Sequence, residues 1–316
     1  MKTARGSSEI KTITTHYIDG AFVESHGSEV MDVIKPTNGQ VIARVTLADE
    51  EDTKRAIAAA KSAFATFGRS TKEERVKILR RLHEAASARA DDLTSAMVEE
   101  YGGIVQFAGL LVQSGIGAFL AAEQALQELP LTRTWGKTTV ILEPVGVAGL
   151  ITAWNANALF ICLKLASAVA AGCTVVLKPS ELSSLQTRVL VEALHEAGLP
   201  KGLLNVVAGR GNVVGAELVR NPDVAKISFT GSVGVGESIM RRGEDHEARH
   251  AGTGRQVADH PARRRRSRPG NSVGPRLGLH EQRASVRRRD APSRAEEPAR
   301  TGQASNLERH AVLPRR

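Results

Sequence analysis

The chain has 316 residues and a formal net charge of +9 at pH 7. The basic excess lies entirely beyond Met240: residues 241–316 hold nineteen Arg, nine acids and no Lys, whereas Met1–Met240 carry 24 basic and 25 acidic residues. The high isoelectric point therefore says nothing about the partners of the first 240 residues, whose apolar content suits a globular domain with a real core.

Residues 241–316 also lack Phe, Trp, Tyr, Ile, Met and Cys. Such a segment cannot bury enough apolar surface to offset an ordering cost of roughly 1–2 kcal/mol per residue, so it is expected to be a disordered Arg-rich tail. His246-Glu247-Ala248-Arg249-His250 fits a zinc-binding HExxH pattern. It lacks an apolar stripe and a third ligand, so it reads as a chance match and no metal is expected. No run of eighteen consecutive apolar residues occurs and Met1 to Ile10 is polar, which gives an expectation of a cytoplasmic protein without a membrane partner. The two cysteines, Cys162 and Cys173, sit in apolar runs and read as structural thiols.

In chain order, residues 1–15 are expected to be a flexible N-terminus. His16 to Val23 and Glu29 to Ile34 alternate in strand fashion around Ser25-His26-Gly27-Ser28, predicting two hairpin strands. Asp49 predicts a helix cap, with helix through about Phe64, and Thr71 with Glu74 forms a capping-box start for a helix through about Ala90. More helix is predicted from Asp91 to about Glu128, broken near Gly102-Gly103. Thr139 to Leu142 and the apolar Val147 to Ala153 read as strands. Helix and strand then alternate: helix Leu159 to Ala171, strand Thr174 to Leu177, helix Ser184 to Ala197, strand Leu204 to Val207, helix Val213 to Arg220, strand Ala225 to Phe229. This rhythm predicts an α/β fold with a doubly wound parallel sheet, whose ligands sit beyond the carboxyl ends of the strands. The loops at Trp154, Lys178, Gly209 and Thr230 should then share one rim.

Several residues on that rim have chemistry of their own. Gly231-Ser232 followed by Gly236 opens a helix straight after a strand, a glycine turn whose free N–H groups and helix dipole suit a pyrophosphate. Taken alone, such a turn is more often mere backbone geometry. Lys178 and Glu181 read either as a solvated ion pair or as two groups able to hydrogen-bond ribose hydroxyls. Asn155 reads either as a turn residue capping the next helix or as an amide aimed at a developing oxyanion.

Ala153-Trp154-Asn155, Leu177-Lys178-Pro179-Ser180-Glu181, Val207-Ala208-Gly209-Arg210-Gly211 and Phe229-Thr230-Gly231-Ser232 through Gly236 occur in an order and spacing that resemble the aldehyde dehydrogenase superfamily. Tyr17-Ile18-Asp19-Gly20 and Pro36-Thr37-Asn38-Gly39 extend the resemblance over residues 16–240. It implies a Rossmann-like NAD-binding domain with oligomerisation strands near 131–142, oxidation of an aldehyde to a carboxylic acid, and homo-oligomers. It also implies a catalytic role for Asn155 and cofactor contacts from Trp154, Lys178, Pro179, Ser180, Glu181, Gly211, Phe229, Thr230, Gly231, Ser232 and Gly236. A carboxylate at Glu181 repels a 2′-phosphate, so NAD is favoured over NADP.

The chain departs from the family pattern around Asn155, with Ala153 before Trp154 and Ala156-Asn157 after it. The family's nucleophilic cysteine and general-base glutamate motifs, expected after Met240, are missing from the sequence as written. Codons can be chosen for His246 to Val257 that, read one nucleotide along, spell Met-Lys-Arg-Val-Thr-Leu-Glu-Leu-Gly-Gly-Lys. In the same shifted frame Leu279 to Arg287 can give Phe-Met-Asn-Ser-Gly-Gln-Ala-Cys. These recoveries predict a frameshift near Met240 to Arg242 and a chain without dehydrogenase turnover. The family's C-terminal pairing strand is not found either, which argues against assembly of this chain. A different reading makes the tail an arm for nucleic acid or anionic surfaces through counterion release; its lack of Lys and aromatic residues argues against that.

Overall fold

The computed structural model describes residues 10–247 and 257–258. Its centre is a parallel sheet built from β8 (Val147–Ile151), β9 (Thr174–Lys178), β10 (Leu204–Val206) and β11 (Val224–Phe229). Every residue of β8 and β9 is buried, as continuous apolar strands covered on both faces require. The helices α5 (Asn157–Ala170), α6 (Ser184–Glu196) and α7 (Ala216–Arg220) connect these strands in turn, and α8 (Val233–Glu247) follows β11. The doubly wound sheet expected from the sequence is the observed architecture.

Alternate residues of one strand feed two different cores. Val147 and Ile151 of β8 and Val176 of β9 pack in a cluster with Ile57 and Ala60 of α1 (Glu50–Phe67) and Leu218 of α7. Ala148, Leu150, Val175 and Leu177 face the larger cluster. That cluster includes Leu79 and Leu82 of α2 (Lys72–Ala88), Met97 of α3 (Ala90–Tyr101), and Val112, Ile116 and Phe119 of α4 (Val105–Glu128). The period-2 geometry of a strand makes this two-sided sandwich from a single apolar run. The helix α4 is long and apolar enough to cross a membrane by composition. One of its faces packs as a core helix on α2, α3 and α5, and at Gly115 a Cβ would lie 2.9 Å from the Leu159 Cα.

The amino-terminal region departs from expectation in two ways. Residues 11–13 fall in the segment expected to be flexible, yet Lys11–Ile13 forms β1 and pairs in parallel with β5 (Val41–Thr46). The ladder supplies partners for its backbone groups, and half-buried Ile13 packs against a small third core. The stretch His16 to Val23 is two strands, not one: β2 (Thr15–Ile18) folds back on β3 (Ala21–Glu24). Asp19 and Gly20 both take positive φ, 52° and 79°, the conformation a tight two-residue hairpin demands. The next strand, β4 (Val30–Ile34), pairs instead with β5 around the turn at Pro36 to Gly39.

The expected helix caps are present. Asp49 accepts from the Glu51 and Asp52 amides, with Asp52 closing the capping box, and Thr71 and Glu74 cap each other reciprocally. Asp52 does more: fully buried, it also accepts from the His26 and Gly27 amides and the Ser25 hydroxyl, so one carboxylate fixes both a helix start and a turn.

At the other end, α8 runs past Met240 to Glu247, and β12 (Val257–Ala258) lies parallel to β11. The helix crosses residue 240 because buried Ile239 anchors it and Glu237 and Arg241 pair one turn apart at 3.6 Å, so nothing at Met240 stops propagation. Thr132–Trp135 (β6) and Thr138–Ile141 (β7) form a separate, largely exposed hairpin. His250 and the rest of residues 248–256 and 259–316 lie outside the described residues.

Candidate functional site

The sheet order β11-β8-β9-β10 places a switch point between β8 and β11, where the chain's winding reverses and an open α/β sheet forms its ligand crevice. The pairs Ile151 with Lys178, Ile151 with Phe229 and Leu177 with Val206 align the carboxyl ends of all four strands. The loops at Trp154, Lys178, Gly209 and Thr230 therefore share one rim, with Trp154-Asn155 and Thr230 to Ser232 flanking the switch point.

Lys178 is 4% exposed, which removes the reading of a solvated pair. Its Nζ donates to Glu181 Oε2 and to the Pro179 carbonyl, both at 3.1 Å. Burial pushes its ammonium below the usual lysine range, while Glu181 acts in the opposite direction. Ser180 caps the short turn Glu181–Ser183, its hydroxyl accepting from the Leu182 amide. The turn holds the Glu181 carboxylate beside the Lys178 ammonium.

On the neighbouring loop, Trp154 and Asn155 are exposed and the Trp154 ring lies 5.7 Å from that of Tyr101. Asn155 does not cap the next helix: the N-cap of α5 is Ala156 and has no side-chain hydrogen bond. The loop is fixed instead by Asn157, which is fully buried. Asn157 Oδ1 accepts from Thr152 Oγ1 at 2.5 Å, its amide donates to Thr187 Oγ1 at 2.8 Å, and Ser183 Oγ donates to the Trp154 carbonyl at 2.5 Å. Sequence reasoning treated Asn157 only as a departure from a motif. A polar residue opening a largely apolar helix was the signal for a buried network.

Across the switch point, the Thr230 amide donates to the Ile151 carbonyl at 3.0 Å, tying the two loops together. The Phe229 ring underlies the glycine turn: a Cβ on Gly231 would come within 2.5 Å of it, and one on Gly236 would touch it at 3.5 Å. Gly231 and Ser232 are exposed. The amides of Val233, Gly234 and Val235 open α8 without intrahelical acceptors, and a Cβ on Gly234 would meet nothing within 4 Å. Gly211 likewise faces open space at the start of the turn after β10. A buried ammonium held by a carboxylate, open glycines and a helix start whose first amides lack intrahelical acceptors suit an anionic, hydroxyl-bearing nucleotide.

Two further residues join this rim. Arg210 pairs with Glu29 at 2.8 Å and approaches Glu181 Oε1 at 3.9 Å. Glu29 is 181 positions earlier, and no sequence pattern links it to the loop.

The described residues provide no alternative chemistry. Cys162 is 1% exposed and its thiol is pushed up to about 12 by burial; Cys173 is also buried and raised by the same cause. His16, Ser25 and Asp52 meet, but Ser25 Oγ and Asp52 Oδ2 both approach His16 Nε2, at 3.0 and 3.8 Å. A relay needs its partners on opposite ring nitrogens. No group of His, Cys, Asp or Glu among the described residues could hold a metal ion.

The fold and rim define a doubly wound α/β protein with an open crevice at its switch point. Residues 22–252 match the aldehyde dehydrogenase family. The chain is 39% identical over 225 residues to 3-succinoylsemialdehyde-pyridine dehydrogenase from a Pseudomonas species, covering 71% of this chain and 47% of that protein. Aldehyde dehydrogenase C of Pseudomonas syringae, solved with NAD+ and octanal, is 35% identical, with a TM-score of 0.72 over 73% of this chain and 48% of its own. An aldehyde dehydrogenase from Bartonella henselae is 30% identical, with a TM-score of 0.73 over 75% of this chain and 51% of its own. The chain belongs to the aldehyde dehydrogenase family, and it spans about half the length of the curated relatives it matches.

Proposed function

We propose that residues 16–247 are the NAD-binding half of an aldehyde dehydrogenase and that a polypeptide of residues 1–316 binds NAD without oxidising aldehydes. The observation that carries this reading is the shared rim. On this reading the buried Lys178 and the Glu181 it holds engage ribose hydroxyls, Ser232 and the α8 amides receive the pyrophosphate, and Trp154, Pro179, Ser180, Gly211, Phe229, Thr230, Gly231 and Gly236 line or shape the crevice. Bound NAD supplies a hydride acceptor. Asn155 is the oxyanion donor, its exposed amide kept off the helix cap and its loop braced by Asn157; losing such a donor costs about 3 kcal/mol in a complete enzyme.

A thiolate nucleophile and a carboxylate base are the two further groups that aldehyde oxidation through a thioester requires. Cys162 and Cys173 serve neither purpose: both are buried and held protonated. Residues 241–316 contain no cysteine. We read the tail as out-of-frame, the absent groups being encoded one nucleotide along. The expected setting is the cytoplasm, and the exposed β6–β7 hairpin, with Trp135 84% exposed, is the candidate assembly element.

The test combines two measurements on the purified 1–316 polypeptide. Trp154 fluorescence should be quenched saturably by NAD, and NADH should not accumulate with NAD and an aliphatic aldehyde. Accumulation of NADH through many turnovers would overturn the assignment of inactivity. Absence of any NAD-dependent quench or heat would overturn the assignment of the rim.

A further inference from the structure

We propose that Arg210, held between Glu29 and Glu181, is a specificity-determining residue that lets this crevice accept a 2′-phosphorylated dinucleotide beside NAD. The inference rests on the dinucleotide reading of the rim. A lone carboxylate next to a ribose rejects a 2′-phosphate by charge repulsion. Glu181 is not alone, because its two oxygens are divided between two cations. Oε2 accepts from the Lys178 Nζ at 3.1 Å, and Oε1 lies 3.9 Å from Arg210 Nη1. With Glu29 counted the cluster is neutral, and once Glu29 is displaced the trio of Lys178, Glu181 and Arg210 carries a net positive charge at the position where a ribose hydroxyl would be read.

Arg210 is also suited to change partners. Its side chain is 40% exposed and its main contact is Glu29, which accepts from Nε at 3.0 Å and Nη2 at 2.8 Å while itself 55% exposed. Exposed ion pairs of this kind are weak, so a phosphate can replace Glu29 as the guanidinium's partner at little cost. The planar fork of Arg then offers two parallel N–H groups to phosphate oxygens, which Lys178, buried and occupied by two acceptors, cannot do. Glu29 thus competes with the phosphate, and Glu181 repels it.

The test is calorimetric titration of the full chain, and of the R210A and E29Q variants, with NAD and with NADP, read as the ratio of the two dissociation constants. In R210A the NADP-to-NAD ratio should rise about tenfold, the effect of one charge-assisted hydrogen bond. In E29Q, where the competitor loses its charge, the ratio should fall. Wild-type protein that binds both nucleotides with a ratio unchanged in R210A would overturn this proposal and leave the rim assignment standing. Wild-type protein that binds neither nucleotide would overturn the rim assignment and this proposal together.

Discussion

The two ends of the central parallel sheet are made from the same strands and have opposite characters. At the amino ends the buried side chains of Arg75 and Asn205 are consumed internally. Arg75, 4% exposed, donates to Ser70 Oγ and to the Ser70 and Ala170 carbonyls, and it packs against Gly172, whose φ of +78° and missing Cβ leave room for the guanidinium. Asn205 donates to the Val175 and Gly202 carbonyls and accepts from the Asp19 amide. At the carboxyl ends, Asn155, Gly231 and Ser232 are exposed and the amides opening α8 have no intrahelical acceptor. One end is finished and the other is open, and a ligand is what completes an open end.

The largest expected effect lies at the finished end. Arg75→Ala removes three donated hydrogen bonds and leaves the part-buried Ser70 and Ala170 carbonyls without this donor, which should cost about 3 kcal/mol in urea unfolding. A loss near zero would show that the amino end is not sealed by this side chain.

Behind the rim, Glu100 gives an intermediate effect with a defined pH dependence. It is 7% exposed and accepts from the Leu185 and Gln186 amides at the start of α6, yet burial outweighs these bonds and raises its pKa from 4.5 to about 7. The folded state therefore holds this proton more tightly than the unfolded chain does. The resulting stability is fully present below pH 4.5 and is lost as pH rises through about 7. Glu100→Gln should gain on wild type by about 2–3 kcal/mol between pH 5 and pH 8; a difference independent of pH would show that the carboxyl is already ionised at pH 5. The smallest effect belongs to the open end, where Asn155→Ala should alter folding stability by less than about 0.5 kcal/mol, because its amide caps nothing. A loss comparable to that of Arg75→Ala would give Asn155 a structural role and break the contrast between the ends.

Much of this contrast was legible in the sequence because it follows from periodicity. Apolar runs such as Val147 to Ala153, separated by amphipathic helices, dictate the parallel sheet, and a parallel sheet dictates where its loops gather. The capping boxes at Asp49 and Thr71 were equally readable, since their logic spans three residues. The reading failed where local signals competed or partners were remote. Asp19-Gly20 is a tight-turn signal embedded in a β-rich run, and the run was read in place of the turn. β5 was missed because Val41 to Thr46 lies just after the turn assigned to Pro36–Gly39 and waits on strands 11 and 30 for its partners. Asn157 and Arg210 depend on residues about 30 and 181 positions away, and no spacing rule reaches that far.

Hydrogen–deuterium exchange of the 1–316 polypeptide with and without saturating NAD tests most directly the claim that the open end holds the dinucleotide. Protection should appear in residues 152–157, 178–184, 208–215 and 230–236, while the segments around Arg75, Gly172 and Asn205 exchange as before. Protection centred on the amino ends of the strands, or none at any NAD concentration, would contradict the account.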